Sequence, residues 1–143
     1  MYAEQISIFL ENRSGRLAEV TKILSETGVN IRALSLADTS DFGVLRLIVD
    51  DNEKARNVLK EKGFTVGKTK VVAVEVPDEP GGLHHILGIL GSGNVNVEYM
   101  YAFVRQSGSN AIMIFRFDNT EDAIKILTNN DVAIIKGDRL YEL

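Results

Sequence analysis

The 143-residue chain has no cysteine, which excludes a disulfide framework and a thiol nucleophile and suits a reducing compartment. No apolar run is long enough to cross a bilayer, and Met1-Tyr2-Ala3-Glu4-Gln5 has neither the basic region nor the apolar core of a secretory leader. A cytoplasmic protein with no membrane partner is expected. Basic charge is also short. With 16 Lys and Arg against 20 Asp and Glu the net charge is −4, and the signs are interspersed, so attraction to nucleic-acid phosphates or anionic lipids is weak. The only histidines are His84 and His85. Adjacent helical positions project about 100° apart, a poor geometry for sharing one metal, and no third ligand stands at a metal-site spacing. No glycine-rich run ends in Gly-Lys-Ser/Thr, and Gly88-Ile89-Leu90-Gly91-Ser92-Gly93 reads as a helix end rather than a dinucleotide loop. No catalytic residue, metal or cofactor is expected.

The informative feature is a module written twice. Asn12-Arg13-Ser14-Gly15-Arg16-Leu17 leads to Gly28-Val29-Asn30-Ile31, and Asp78-Glu79-Pro80-Gly81-Gly82-Leu83 leads to Asn94-Val95-Asn96-Val97, at a constant offset of 66 residues. Val20 and Leu24 land on Ile86 and Leu90. A repeat that keeps turn residues and apolar positions together marks two copies of one folding unit.

Each copy reads as strand, helix, strand, strand, helix, strand. Ile6, Ile8 and Leu10 alternate along a strand, and Leu17, Val20 and Leu24 form the stripe of a helix running from Gly15 to about Glu26. Gly28 stops the helix, and Val29 to Ala37 is extended, with Leu34 and Leu36 two apart. A turn over Asp38 to Gly43 precedes Leu45, Leu47 and Val49 on a third strand. Asp51-Asn52-Glu53 starts a second helix carrying Ala55, Val58 and Leu59, and Phe64-Thr65-Val66 opens the last strand.

The second copy runs through Val72, Val74 and Val76, then Leu83, Ile86, Leu87 and Leu90, then Met113, Phe115 and Phe117, then Ala123, Ile126 and Leu127. After the hairpin the offset grows to 68, because Gln106-Ser107-Gly108-Ser109 brings two extra residues. The fold class is α+β, with two ferredoxin-like βαββαβ domains whose antiparallel sheets carry helices on one face. The domains are expected at 1–68 and 69–143, joined at Gly67-Lys68-Thr69-Lys70, a junction short enough that they should pack.

The first loop of each copy delivers the chain into a helix amino terminus, whose leading N–H groups have no partner within the helix and lie at its positive end. Gly15, and likewise Gly81 and Gly82, clears side chains from that backbone, while Asn12 and Asp78 place an amide and a carboxylate nearby. An α-amino acid needs both parts, donors for its carboxylate and an acceptor such as Asp78 for its ammonium. The plainer alternative is that Ser14 or Asp78 only turns the chain into the helix. Asn30 and Asn96 open the second strands. They either serve local backbone groups or, between two domains packed side by side, face a partner's first loop.

The segment from Ile6 to Leu17 with Gly28 to Ile31 resembles the start of an ACT domain, whose first loop commonly reads Asn/Asp-x-Pro-Gly-x-Leu. Asp78 to Leu83 matches that pattern fully, and the first copy differs by Ser14 in place of proline, which leaves φ freer there. The likeness covers nearly the whole chain. It implies a non-catalytic regulatory protein of amino-acid metabolism that binds an amino acid at an interface between ACT domains. The residues implied to face the ligand are Asn12, Gly15, Arg16, Leu17, Asn30 and Ile31, with Asp78, Gly81, Gly82, Leu83, Asn96 and Val97 in the second copy. The two modules use all the residues, so the regulated partner would be a homodimer mate or an enzyme acted on in trans.

An alternative is a regulatory subunit of a biosynthetic enzyme such as acetolactate synthase, whose small subunits begin with a similar segment, although a different carboxy-terminal domain would be expected there. RNA binding is a weaker alternative. Tyr99, Tyr101 and Phe103 share the sheet face opposite the helices with Ile112 and Ile114, but only Arg116 is basic there. Such a face suits packing on another sheet better than base stacking.

Overall fold

The computed structural model describes residues 1–38, 41–105 and 107–143. The expected hairpin turn at Thr39 and Ser40, and Gln106 of the longer loop, lie outside the described residues. Two compact units form, Glu4–Thr69 and Lys70–Leu143, the second including Met1–Ala3.

The amino-terminal unit comprises β1 (Ala3–Glu11), α1 (Arg16–Glu26), β2 (Ile31–Asp38), β3 (Phe42–Val49), α2 (Asn52–Glu61) and the start of β4 (Thr65–Pro77). Strand β3 lies between β1 and β2 and is antiparallel to both, with Ile8 opposite Leu45 and Leu36 opposite Leu45 on the other side. Ile6, Ile8, Leu45 and Leu47 from the strands meet Val20, Leu24, Ala55 and Leu59 from the helices in one core. The helix periodicity therefore buries the face expected, with one exchange. Ile23 is buried, whereas Leu17, in the first turn of α1, stays 39% exposed.

The carboxy-terminal unit continues from β4 through α3 (Gly82–Ser92), β5 (Val97–Ala102), β6 (Asn110–Phe117), α4 (Thr120–Asn129), β7 (Ile134–Ile135) and α5 (Gly137–Glu142). Strand β6 pairs antiparallel with β4 and β5, and β7 pairs with β4 through Ala73 and Val74. Val72, Val74, Phe115 and Phe117 meet Ile86, Leu90, Ala123 and Leu127 in a second core, where the Phe115 and Phe117 rings stack at 5.4 Å.

The order of elements expected from the sequence is thus the observed one in both copies, an α+β ferredoxin-like arrangement of antiparallel strands and packed helices. Two details differ. Gly67 to Lys70, the expected junction, lies inside β4, a continuous 13-residue strand, and the division between the two units falls within it, after Thr69. The chain also ends in the short helix α5, for which the repeat offers no template, since the first copy has no equivalent.

Of the three aromatics on the face opposite the helices, Tyr101 and Phe103 are 8% and 7% exposed and Tyr99 is half-buried, while Ile112 and Ile114 on the neighbouring strand are buried. Two of the three rings therefore lack an open face for stacking bases, which weighs against the RNA-binding alternative.

Candidate functional site

The four long helices of the two βαββαβ units start in two ways. Helix α2 is capped by Asp51, whose side chain accepts from the Lys54 N–H at 3.1 Å, and α4 by Asn119, which accepts from the Asp122 N–H at 3.0 Å. Helices α1 and α3 start instead at Gly15 (φ 91°) and Gly81 (φ 85°), both left-handed and with no side-chain cap. That backbone conformation is one other residues adopt only at a cost, which accounts for glycine at both positions.

The turn before each helix is the same. Arg13 N–H donates to the Glu11 carbonyl as Glu79 N–H donates to that of Pro77, both at 2.9 Å, and the Gly15 and Gly81 carbonyls each accept the first helical bond at 3.0 Å. Space stands open where a Cβ would project from either glycine. The first N–H of each helix turns back on its own loop, Arg16 to the Arg13 carbonyl at 3.4 Å and Gly82 to the Glu79 carbonyl at 3.1 Å, and no side chain caps the rest of the first turn, which lies at the positive end of each helix.

Around the first loop, Asn12, Arg16 and Leu17 line a cavity of about 70 Å³ together with Leu10, Leu36 and Gly43. Such a space holds a water or one small functional group, well below the roughly 300 Å³ at which small-molecule sites begin. The Arg16 guanidinium sits over Phe64, 4.4 Å from the ring centroid, and its Nη1 lies 2.9 Å from a Glu19 carboxylate oxygen. Its Nε is buried with no hydrogen-bond partner among the described residues.

Asn30 and Ile31 are not brought to this cavity. They line a separate hollow with Thr21, Leu24 and Ser25, and Ile31 also packs on the core. The Asn30 backbone N–H donates to Asp50 Oδ1 at 2.9 Å, and the Asn30 carbonyl accepts from Asp50 N–H. Asn96 repeats the pattern with Asp118, at 3.0 Å. These reciprocal pairs tie the start of each second strand to the end of the third.

In the second copy, Asp78 and Gly81 are exposed at the loop. Gly82 is buried, and a Cβ there would overlap the Pro77 carbonyl oxygen. The missing side chain at that position makes room for the protein's own strand end. Leu83 and Val97 are half-buried against the core. Leu10, Leu36 and Gly43 are cavity residues that the repeat alone did not single out, because they reach the loop from strands rather than through the loop motif. The alternation of Ile6, Ile8 and Leu10 is the available signal for Leu10, whereas Gly43, expected as the last turn residue, is the second residue of β3.

Among the described residues no cluster of three or more His, Cys, Asp or Glu is placed to hold a metal, and no helix is long and apolar enough to cross a membrane.

Comparison with known proteins agrees with this geometry. The chain is similar to protein BT0572 from Bacteroides thetaiotaomicron, whose crystal structure superposes with a TM-score of 0.94 at 42% identity, over 100% of this chain and 98% of that one. The ligand-free regulatory subunit of aspartate kinase from Thermus thermophilus matches with a TM-score of 0.60 at 18% identity, over 88% and 91% of the two chains, a likeness of fold. The acetolactate synthase small subunit of Buchnera aphidicola subsp. Baizongia pistaciae (strain Bp) is 29% identical over 73 residues, which is 49% of this chain. The chain spans about half of that relative's length, 46%. A family model, the ACT domain pair, matches residues 1–143 from end to end. With its repeated βαββαβ unit and its two glycine-led helix starts, this chain belongs to the ACT domain pair family.

Proposed function

We propose that this chain is a non-catalytic, cytoplasmic regulatory protein of amino-acid metabolism, with ACT domains at 1–68 and 69–143, that binds an amino acid at the glycine-led helix starts. The observation that carries this reading is the twofold contrast in capping. Asp51 and Asn119 satisfy α2 and α4 from within, whereas α1 and α3 begin at left-handed glycines with no side-chain cap. Backbone N–H groups at the positive end of a helix suit an α-carboxylate, and Asp78 suits the ammonium. Asn12, Arg16 and Leu17 provide the corresponding wall in the first copy.

A cavity of about 70 Å³ does not enclose an amino acid. The remaining wall in this reading comes from a second copy of the chain. Leu17 and Leu36 line the cavity and are 39% and 51% exposed, and Leu34, two residues along β2, is 49% exposed. An apolar strip at a sheet edge favours such a homodimer.

Thermal-shift screening of the amino acids at millimolar concentration tests the proposal. At least one is expected to raise the melting temperature, since ligand at about 100 times its Kd stabilises by about 2.7 kcal/mol. Asp78→Ala is expected to abolish that shift. No stabilisation by any amino acid would sink the ligand class, and an unchanged shift in the variant would remove Asp78 from the ammonium role.

The similarity to an acetolactate synthase small subunit over 73 residues favours a second reading, regulation of such an enzyme in trans. Stable co-elution with a purified catalytic subunit would select it over a free-standing sensor.

A further inference from the structure

One corner of the fold is filled in the first copy and open in the second. In the amino-terminal unit the space between the start of α1 and the segment that follows α2 is occupied by Arg16, whose side chain is only 18% exposed and is held between the Phe64 ring and the Glu19 carboxylate. An organic cation is thus seated between an aromatic face and an anion, an arrangement that favours it by both contacts. The offsets of 66 and 68 carry Arg16, Glu19 and Phe64 onto Gly82, His85 and Val132.

The backbone frame is unchanged. Glu19 and His85 N–H both donate at 3.0 Å to the glycine that starts their helix, and Phe64 and Val132 N–H both donate at 3.0 Å to a matched leucine, Leu59 and Leu127.

What changes is the filling. No side chain fits at position 82, because the Pro77 carbonyl stands where a Cβ would go, and valine is smaller than phenylalanine. A cavity of about 270 Å³ results, with Pro77, Ile86 and Val132 as its apolar wall and with Glu75, His85 and Asp131 also lining it. No lysine or arginine is among its lining residues. Asp131 adopts φ 57°, where the first copy has Gly63 at φ 88°. A carboxylate therefore stands in the second copy at a position that bears no side chain in the first.

We infer that this cavity binds an organic cation, an ammonium or guanidinium group on a short aliphatic stem, in the place that Arg16 fills from within the first copy. Its volume lies near the lower end of small-molecule sites, about 300 Å³, which suits a ligand of that size and is too small for a nucleotide.

The test is titration of the full chain with agmatine, which carries a guanidinium and an ammonium but no carboxylate, followed by two-dimensional NMR. Saturable shifts are expected at His85, Asp131 and Val132, with a Kd below about 1 mM, while Glu19 and Phe64 stay unmoved. The double substitution Glu75→Gln, Asp131→Asn keeps side-chain size and is expected to weaken binding at least tenfold. Absence of a saturable shift, shifts spread equally over both copies, or unchanged affinity in the double variant would each overturn the inference. Because agmatine has no α-carboxylate, the result is independent of the amino-acid screen, and either proposal can fail alone.

Discussion

Two glycines side by side, Gly81 and Gly82, are required for different reasons. Gly81 has a left-handed backbone with open space where a Cβ would project, so Gly81→Ala meets only conformational strain, about 1 kcal/mol. Gly82 has ordinary dihedrals but no room, because its Cβ would overlap the Pro77 carbonyl. Relief requires moving either the end of β4 or the start of α3, and Gly82→Ala is expected to cost about 3 kcal/mol, at the upper end of over-packing penalties. Urea denaturation of the two single variants measures the difference; equal midpoints would show that the close approach is not a constraint. The adjacency of two glycines is visible in the sequence. The distinction between them is not, since it depends on a strand end placed by the sheet.

At the scale of elements, the four helix starts divide into two that cap themselves and two that do not. Asp51→Ala and Asn119→Ala each remove a side-chain acceptor from an N–H at 3.1 and 3.0 Å. Each is expected to cost about 1 kcal/mol, read as a lowered denaturation midpoint. No effect in both would mean that water replaces these caps without penalty. The caps at Asp51 and Asn119 are local signals, and Asp51-Asn52-Glu53 marks the start of α2 in the sequence itself. The hydrogen bonds that pin Asn30 and Asn96 to Asp50 and Asp118 were harder to foresee, because each joins residues about twenty positions apart. In both pairs the backbone N–H of the asparagine is the donor, so its amide side chain is not what makes this bond.

Over the whole molecule, each unit carries its own apolar core, and the second helix of each is anchored at a matched position. Leu59 and Leu127, 68 residues apart in sequence, are both fully buried, each on the second helix of its copy. Leu59→Ala and Leu127→Ala are each expected to destabilise by about 2 to 5 kcal/mol, the range for truncating a buried leucine. Hydrogen exchange would register each loss in the unit that carries the substitution. A cost near zero at either site would contradict the burial found there.

The repeat, the order of elements and the glycines at both helix starts follow from local chemistry: periodicities of two and of about 3.6 residues, turn residues at fixed offsets, and backbone angles that few residues tolerate. Neighbours in the chain are enough to express these, and so they could be read directly. Which matched corner is filled and which is empty is another matter. Arg16 meets Phe64, and Gly82 meets the carbonyl of Pro77, only after helix and strand have seated against one another. The same is true of Tyr101 and Phe103, whose alternation was plain but whose burial depended on the folded chain. Long-range packing chooses the partners of a side chain, and no stretch of sequence encodes that choice alone.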